Sequence, residues 1–546
     1  MTDRQGDIMR VMRYAAASFL FAAAACASAP EPAATAEDRI RADVAFLADD
    51  QRTGREPGTK GYDAAADYVV KRMKAAGLKP ASKAGWRQDV PMRSSVRVIE
   101  AARFSVSSAS GAFDLAHLDD FLLARAFDAP SISVSGPLVY VGYGVVAPED
   151  GVDDYRGLDV AGKIVVAFDG APPAMNTEKR AYYSSGDVKR QTAEARGAIG
   201  FVSIMTKAQA EKDEWDRYRA RALNAGMAWL RPDGSPYSAA PRIKAVASLS
   251  APGAEKLFAG ERADYAALQA AEAAGEGAPR GFALSKTATL AGAYDLSDLA
   301  SANIIGVIEG SDAKLRDEII LVTAHLDHIG VTTIAKPGDD AINNGAIDNA
   351  AGVATMIEAA NAFRAAGVRP RRTIAFVALT GEEAGLLGSD YLARNPALGG
   401  GRIVANINLD MPVALYPFTD VIAFGAERSS LGPVVAEAAA SMGLALSPDP
   451  MPEENIFIRS DHYSFVKQGA PAVFLVPGFA NGGAAAFEAF LKHRYHRPSD
   501  DIAQPIDYAA LARFTELNVK IARALADADE APRWTARDFF GEKFSK

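Results

Sequence analysis

Three apolar runs in the second half of the chain end directly in residues that can hold a metal ion. EIILVTA runs into His325-Leu326-Asp327, TIAFVALTG into Glu382-Glu383, and IVANINL into Asp410. Each alone has a plain explanation, since an aspartate after a strand commonly caps a helix and a Glu-Glu pair commonly sits in a solvated turn. Three together mean more. In open α/β sheets ligands bind at the carboxyl ends of the strands, so three strands would bring His, Glu and Asp to one edge. GAIDNAAGVA adds Asp348 at the mouth of a helix, among small residues that allow close backbone approach. YHRPSDD adds His496 in a loop fixed by Pro498. The set His325, Asp348, Glu383, Asp410 and His496 offers nitrogen and oxygen donors and no sulfur. Such a set suits a pair of zinc-like ions sharing one carboxylate.

The elements that must position these residues read as α/β from Ser301 onward. NIIGVIEG, EIILVTAH, TIAFVAL, RIVANINL and PAVFLVP are near-continuous apolar strands, and AAGVATMIEAANAFRAAG and LGPVVAEAAASMG are helices between them. Unalternating apolar strands flanked by helices predict a mostly parallel sheet covered on both faces. AEDRIRADVAFLADD and GYDAAADYVVKRMKAAGLKP predict helices separated by the loop QRTGREPGTKG. VRVIEAARFSVSS predicts strands. Between about 130 and 275 short β runs alternate with Gly and Pro turns (GPLVYVGYGV, GKIVVAFDG, GAIGFVSI, IKAVASLS), a texture that predicts a separate β-rich unit. ERADYAALQAAEAAGEGAPR reads as a helical exit from it.

The remaining polar candidates are weaker. His117 reads as a surface residue, and His328 either lines the site or packs beside it. His493 stands three residues before His496 and is a rival ligand. His462 in RSDHYSF reads as a supporting residue behind the ligands, and Ser460 as a helix cap. Neither a G-x-S-x-G elbow nor an H-E-x-x-H helix occurs, so serine-hydrolase and zincin chemistry lack their motifs.

Composition bounds the rest. The 546 residues are 49% hydrophobic and 23% charged, an ordinary globular balance, and too long for a single core. A net charge of −9 without a basic stripe argues against a nucleic-acid partner. One cysteine, Cys26, excludes a disulfide framework and a thiolate zinc site. Arg10 and Arg13 precede the short apolar run YAAASFLFAAAA, a signal-peptide pattern too short to span a bilayer. No later run reaches about 18 uncharged apolar residues. The expected address is therefore outside the cytosol: periplasm or cell envelope, or secreted. Cys26 sits where a bacterial lipoprotein carries its lipidated cysteine, which would add a membrane anchor. Cleavage near Ala27, with Cys26 incidental, is the alternative.

AHLDHIG, GAIDNAAGVA, TGEEAGLLGSDYL, NINLDMP, RSDHYSF and YHRPSDD, in this order over about 200 residues, resemble the zinc aminopeptidases of peptidase family M28. NIIGVIEGSD and GREPGTKGYDAAADYVVKRMKAAGLKP extend the likeness. GPLVYVGYGV followed by GKIVVAFDG resembles the protease-associated (PA) domain often inserted in that family. With residues 1–36 read as signal peptide and tether, the resemblance implies 37–129 as the N-terminal part of the peptidase domain, 130–275 as the PA-like insert, and 276–546 as the main catalytic part. It implies two Zn²⁺ ions, His325 and Asp410 on one, Glu383 and His496 on the other, and Asp348 bridging. Glu382 would be the general base, Asp327 would orient His325, and Tyr495 would donate to the oxyanion. Peptides would be the substrates, cut at the N-terminus. The chemistry is coherent: two cations acidify water and polarise a carbonyl, and a carboxylate free of metal carries the proton to the leaving amine. A single-zinc glutaminyl cyclase and a non-enzymatic binding protein on the same fold are the alternatives.

Overall fold

The computed structural model describes residues 34–212, 215–274, 280–332 and 338–545. The expected signal segment and Cys26 lie outside these residues. The body Ala36–Lys546 carries everything below. Among the described residues no helix is long and apolar enough to cross a membrane.

Among the described residues one sheet of 16 strands runs through the body. One part of it is ordered Asp420–Phe424, Ala472–Pro477, Arg402–Leu409, Glu318–His325, Thr373–Leu379, Phe282–Ile308. The four strands from Ala472–Pro477 to Thr373–Leu379 are parallel neighbours. The flanking pairs, Asp420–Phe424 on one side and Phe282–Ile308 on the other, are antiparallel. The apolar runs explain this burial. Ile320, Val322 and Ala324 point into one core, and Ile319 and Leu321 into another on the opposite face. Strand side chains alternate with period two, so a strand apolar at every position can only sit between two covered faces.

One cover is built by the helices Ala36–Leu47, Lys60–Ala75, Ala351–Ala366 and Tyr508–Asp527, which share a core with that sheet face. Leu392 in Leu387–Arg394 and Phe465 in His462–Val466 belong to the core on the other face. Thr59 caps Lys60–Ala75 by accepting from the Tyr62 N–H, which satisfies one of the donors a helix start leaves open.

The strand Phe282–Ile308 is 27 residues long and joins the two halves of the molecule. Its last residues pair with Thr373–Leu379, its middle with Arg87–Ser108, and its beginning with Ser131–Tyr140. Beyond it lie the parallel strands Ile164–Phe168, Gly200–Ile204 and Ala245–Leu249. These bury a second core of Leu138, Tyr140, Val166, Phe168, Val202 and Leu249, with Phe104 and Leu290 from the long ribbon. The short strand Gly226–Trp229 leaves this region and pairs with Met92–Ser95. There Trp229 packs with Val90, Met92 and Leu387 and donates its indole N–H to Asp390 at 3.0 Å. That places part of the 130–275 region against the helix that follows Glu382-Glu383.

Candidate metal centre

Three parallel strands end side by side, and their ends carry His325, Glu382-Glu383 and Asp410. Two loops close over them. The turn before Ala351–Ala366 brings in Asp348, and the loop after Gly483–His493 brings in His496.

The donors meet in two groups. His325 Nε2 is 3.1 Å from Asp410 Oδ1 and 3.3 Å from Asp348 Oδ1. His496 Nε2 is 3.1 Å from Glu383 Oε2 and 3.3 Å from Asp348 Oδ2. Asp348 thus gives one oxygen to each group. His328, fully buried, joins the second group, its Nδ1 2.7 Å from Glu383 Oε1 and 3.9 Å from Asp348 Oδ2.

These spacings fit cations. Ligands at about 2.0–2.1 Å from a tetrahedral zinc are about 3.4 Å apart, close to the 3.1 and 3.3 Å edges of both groups. The electrostatics agree. Asp327, Asp348, Asp410, Asp461 and Asp500 are all buried here, and such a crowd of carboxylates is stable only with positive charge beside it. Arg55 supplies one fixed charge, and burial pushes it down to about 10, so it stays charged at neutral pH. Against their burial, the carboxylates hold the His496 imidazole up to about 10 and that of His325 well above its ordinary value. Burial pushes Asp348 and Glu383 up, but the imidazoles overcome it: Asp348 lies well below the carboxylate range and Glu383 at about 2. Imidazoles that hold a proton this firmly among carboxylates that stay ionised mark a place where positive charge is stabilised, which a bound cation can supply instead.

Glu382 differs from its neighbour. Burial pushes its carboxyl well above the ordinary value. Its main-chain N–H, with that of Glu383, is held by the two oxygens of Asp327 at 3.2 Å each. The Asp327 carboxylate therefore fixes the Glu-Glu turn. His325 Nδ1 is nearest the Asp327 main-chain oxygen, at 3.1 Å, with the carboxylate 4.0 Å away. Tyr495 stacks on His496 with 3.8 Å between ring centroids, and burial pushes its phenol up, so it remains a proton donor.

Several residues that sequence reasoning passed over build this site. Asp500 accepts the Ile347 and Asp348 N–H groups at 3.0 Å each, so the YHRPSDD loop delivers His496 and also anchors the loop of Asp348. Asn349 donates to Leu409 O and accepts from Gly352 N, joining the Asp348 turn to the strand of Asp410. A Cβ on Gly352 would fall 2.0 Å from Asn349 Oδ1, so only glycine fits. Arg55, from the loop read only as a connector, donates to Leu326 O, Leu47 O, Asn344 O and Gly345 O.

Three expectations, those for Ser460, His462 and His117, change. Ser460 caps no helix: its hydroxyl donates to Asp410 Oδ2 at 2.6 Å and accepts from Asn408. His462 does not support the ligands. It lies in an apolar pocket between Phe457 and Phe474, where burial pushes it down to about 3. His493 is exposed at the end of its helix. His117 is half-buried against Phe121.

Fold and cluster together define an α/β protein with a paired carboxylate–imidazole cation site at the carboxyl edge of its sheet. Residues 303–522 match the model described as Peptidase family M28. A probable zinc metalloprotease of Pyrenophora tritici-repentis is 38% identical over 108 residues, 20% of this chain and 23% of that protein. A probable leucine aminopeptidase of Arthroderma otae is 30% identical over 233 residues, 42% of this chain and 58% of that one. The chain thus spans only about a quarter to three-fifths of these relatives. Among solved structures, an aminopeptidase from an Aneurinibacillus species superposes with a TM-score of 0.51 at 19% identity, covering 91% of this chain and 95% of that one. That likeness is one of fold.

Proposed function

We propose that the chain is a two-zinc metallopeptidase that removes N-terminal residues from peptides. The observation that carries this is the placement of Asp348, one oxygen toward His325 and Asp410 and the other toward His496 and Glu383. A one-ion cyclase would need only one of these groups, and the presence of both favours the pair. In this reading His325, Asp410 and Asp348 would hold one ion, and Glu383, His496 and Asp348 would hold the other. Bound zinc ions acidify water and polarise the scissile carbonyl.

The chain's own residues do the rest. Glu382 accepts the proton of the attacking water and returns it to the leaving amine, and its raised pKa suits a group that must do both. Asp327 keeps the Glu382-Glu383 turn in register, so that one side chain faces the metals and the other the substrate. The Tyr495 hydroxyl, kept protonated by burial, donates to the oxygen on which charge develops. The 130–275 region reads as the PA-like insert, with Trp229 as its anchor beside the site, and shapes substrate access without chemistry of its own.

The test is release of free amino acids from peptides with free or acetylated N-termini. Release from the free form alone supports the reading, and equal cleavage of both contradicts it. For the address we propose export with a lipid anchor at Cys26, motivated by the charged start, the short apolar run and the one cysteine after it. Fractionation of cells carrying Cys26→Ser checks this: the parent should sediment with membranes and the variant should not. A wholly soluble parent contradicts the anchor.

A further inference from the structure

We propose that His328 is a positioning residue for the second cation: its Nδ1–H holds Glu383 Oε1, leaving Oε2 for the ion shared with Asp348 and His496. This rests on the reading of Glu383 as a metal-holding carboxylate.

The distances separate two roles that the residue types alone do not. Two ligands of one tetrahedral zinc stand about 3.4 Å apart. His328 Nδ1 is 2.7 Å from Glu383 Oε1, too close for a pair of ligands and right for an N–H···O⁻ hydrogen bond. His496 Nε2, by contrast, is 3.1 and 3.3 Å from its carboxylate oxygens. The two oxygens of Glu383 are thereby divided, Oε1 facing His328 and Oε2 facing His496. A carboxylate with neither oxygen fixed can turn about its last bond and offer one oxygen, both, or none. Fixing one oxygen removes that freedom before the ion arrives.

The ring is locked for this task. His328 is fully buried, and its Nε2 has no hydrogen-bond partner. A carboxylate oxygen only accepts, so in this contact Nδ1 is the donor and Glu383 Oε1 the acceptor. Gly345 closes the far side: a Cβ there would lie 2.7 Å from both Cγ and Cδ2 of the ring. The main-chain N–H of His328 reaches Arg55 O at 3.4 Å, tying the ring's backbone to the arginine that binds both site loops.

The experiment is a zinc titration against a competing chelator on the parent, His328→Ala and His328→Asn, with thermal unfolding of each confirming the fold. Asparagine keeps a donor near the position of Nδ1 and cannot replace a ligating imidazole. The parent should show two zinc sites. His328→Ala should weaken one of them about 10–100-fold, the usual cost of losing a group that orients a ligand, and leave the other unchanged. His328→Asn should recover most of the loss. Equal weakening in both folded variants would make His328 a ligand and overturn the proposal, and so would parental affinity in His328→Ala. A folded parent without two zinc sites would instead overturn the underlying two-zinc reading, and the proposal with it.

Discussion

Arg55→Lys is the substitution most informative about how the site is assembled. The guanidinium is buried and spends its donors on four main-chain oxygens, those of Leu47, Leu326, Asn344 and Gly345, at 2.5–3.0 Å. Leu326 lies between His325 and Asp327, and Gly345 opens the turn that carries Asp348, so this one side chain ties together both loops and the first helix. Lysine keeps the charge that the surrounding carboxylates need. Its donors radiate from a single atom, however, and cannot cover oxygens arranged around three nitrogens. At least one carbonyl loses its donor. At about 1–3 kcal/mol for each orphaned buried group, the loss is at least about 1–3 kcal/mol, a sizeable share of the roughly 5–15 kcal/mol that stabilises a typical domain. Denaturant unfolding of the metal-free protein should show a lower midpoint, and zinc affinity should fall with it. A loss under about 1 kcal/mol would refute the claim that Arg55 organises the two loops.

Two further outcomes follow from the geometry. His496→Ala removes a donor from one group only, so metal analysis should find two zinc ions per chain in the parent and about one in the variant. Equal loss of both ions would contradict the division into two groups. Lys189, buried in the second core with its ammonium on Phe168 O, is pushed by burial down to about 8 from its ordinary 10.5. Between those values the unfolded chain binds more protons than the folded one, so stability should rise with pH across this window, by about 3 kcal/mol in total. Lys189→Met should remove that rise, which unfolding curves at pH 7.5 and pH 10 compare directly, and an unchanged rise would show that another group causes it.

What could be read from the sequence was whatever depends on local pattern. His325, Glu382-Glu383 and Asp410 were visible because each interrupts an apolar strand at its carboxyl end, where a side chain must turn toward the sheet edge. Asp348 and His496 were visible from small residues or proline fixing a turn. Arg55, Asn349 and Asp500 were not visible, because their partners are main-chain atoms of distant segments and nothing in GREPGTKG or PSDD marks a residue as buried. The long strand was only half seen. NIIGVIEG stood out as a continuous apolar run, whereas FALSKTATLAGAY alternates polar and apolar residues, a period-two signal of a half-buried strand. Ser460 was misread because a serine before a short helix has the cap pattern, while its actual partner, Asp410, lies 50 residues away.

The central claim is that a metal-holding carboxylate and a proton-carrying one stand side by side at positions 383 and 382. The measurement that tests it most directly is the rate of N-terminal residue release by Glu382→Gln, taken at measured zinc content. Glutamine keeps the size of the side chain and its place beside the site but cannot accept the proton. The account predicts two zinc ions per chain, as in the parent, with a rate about 10²–10⁴-fold lower. A variant that keeps nearly full activity, or one that loses a zinc, would contradict it.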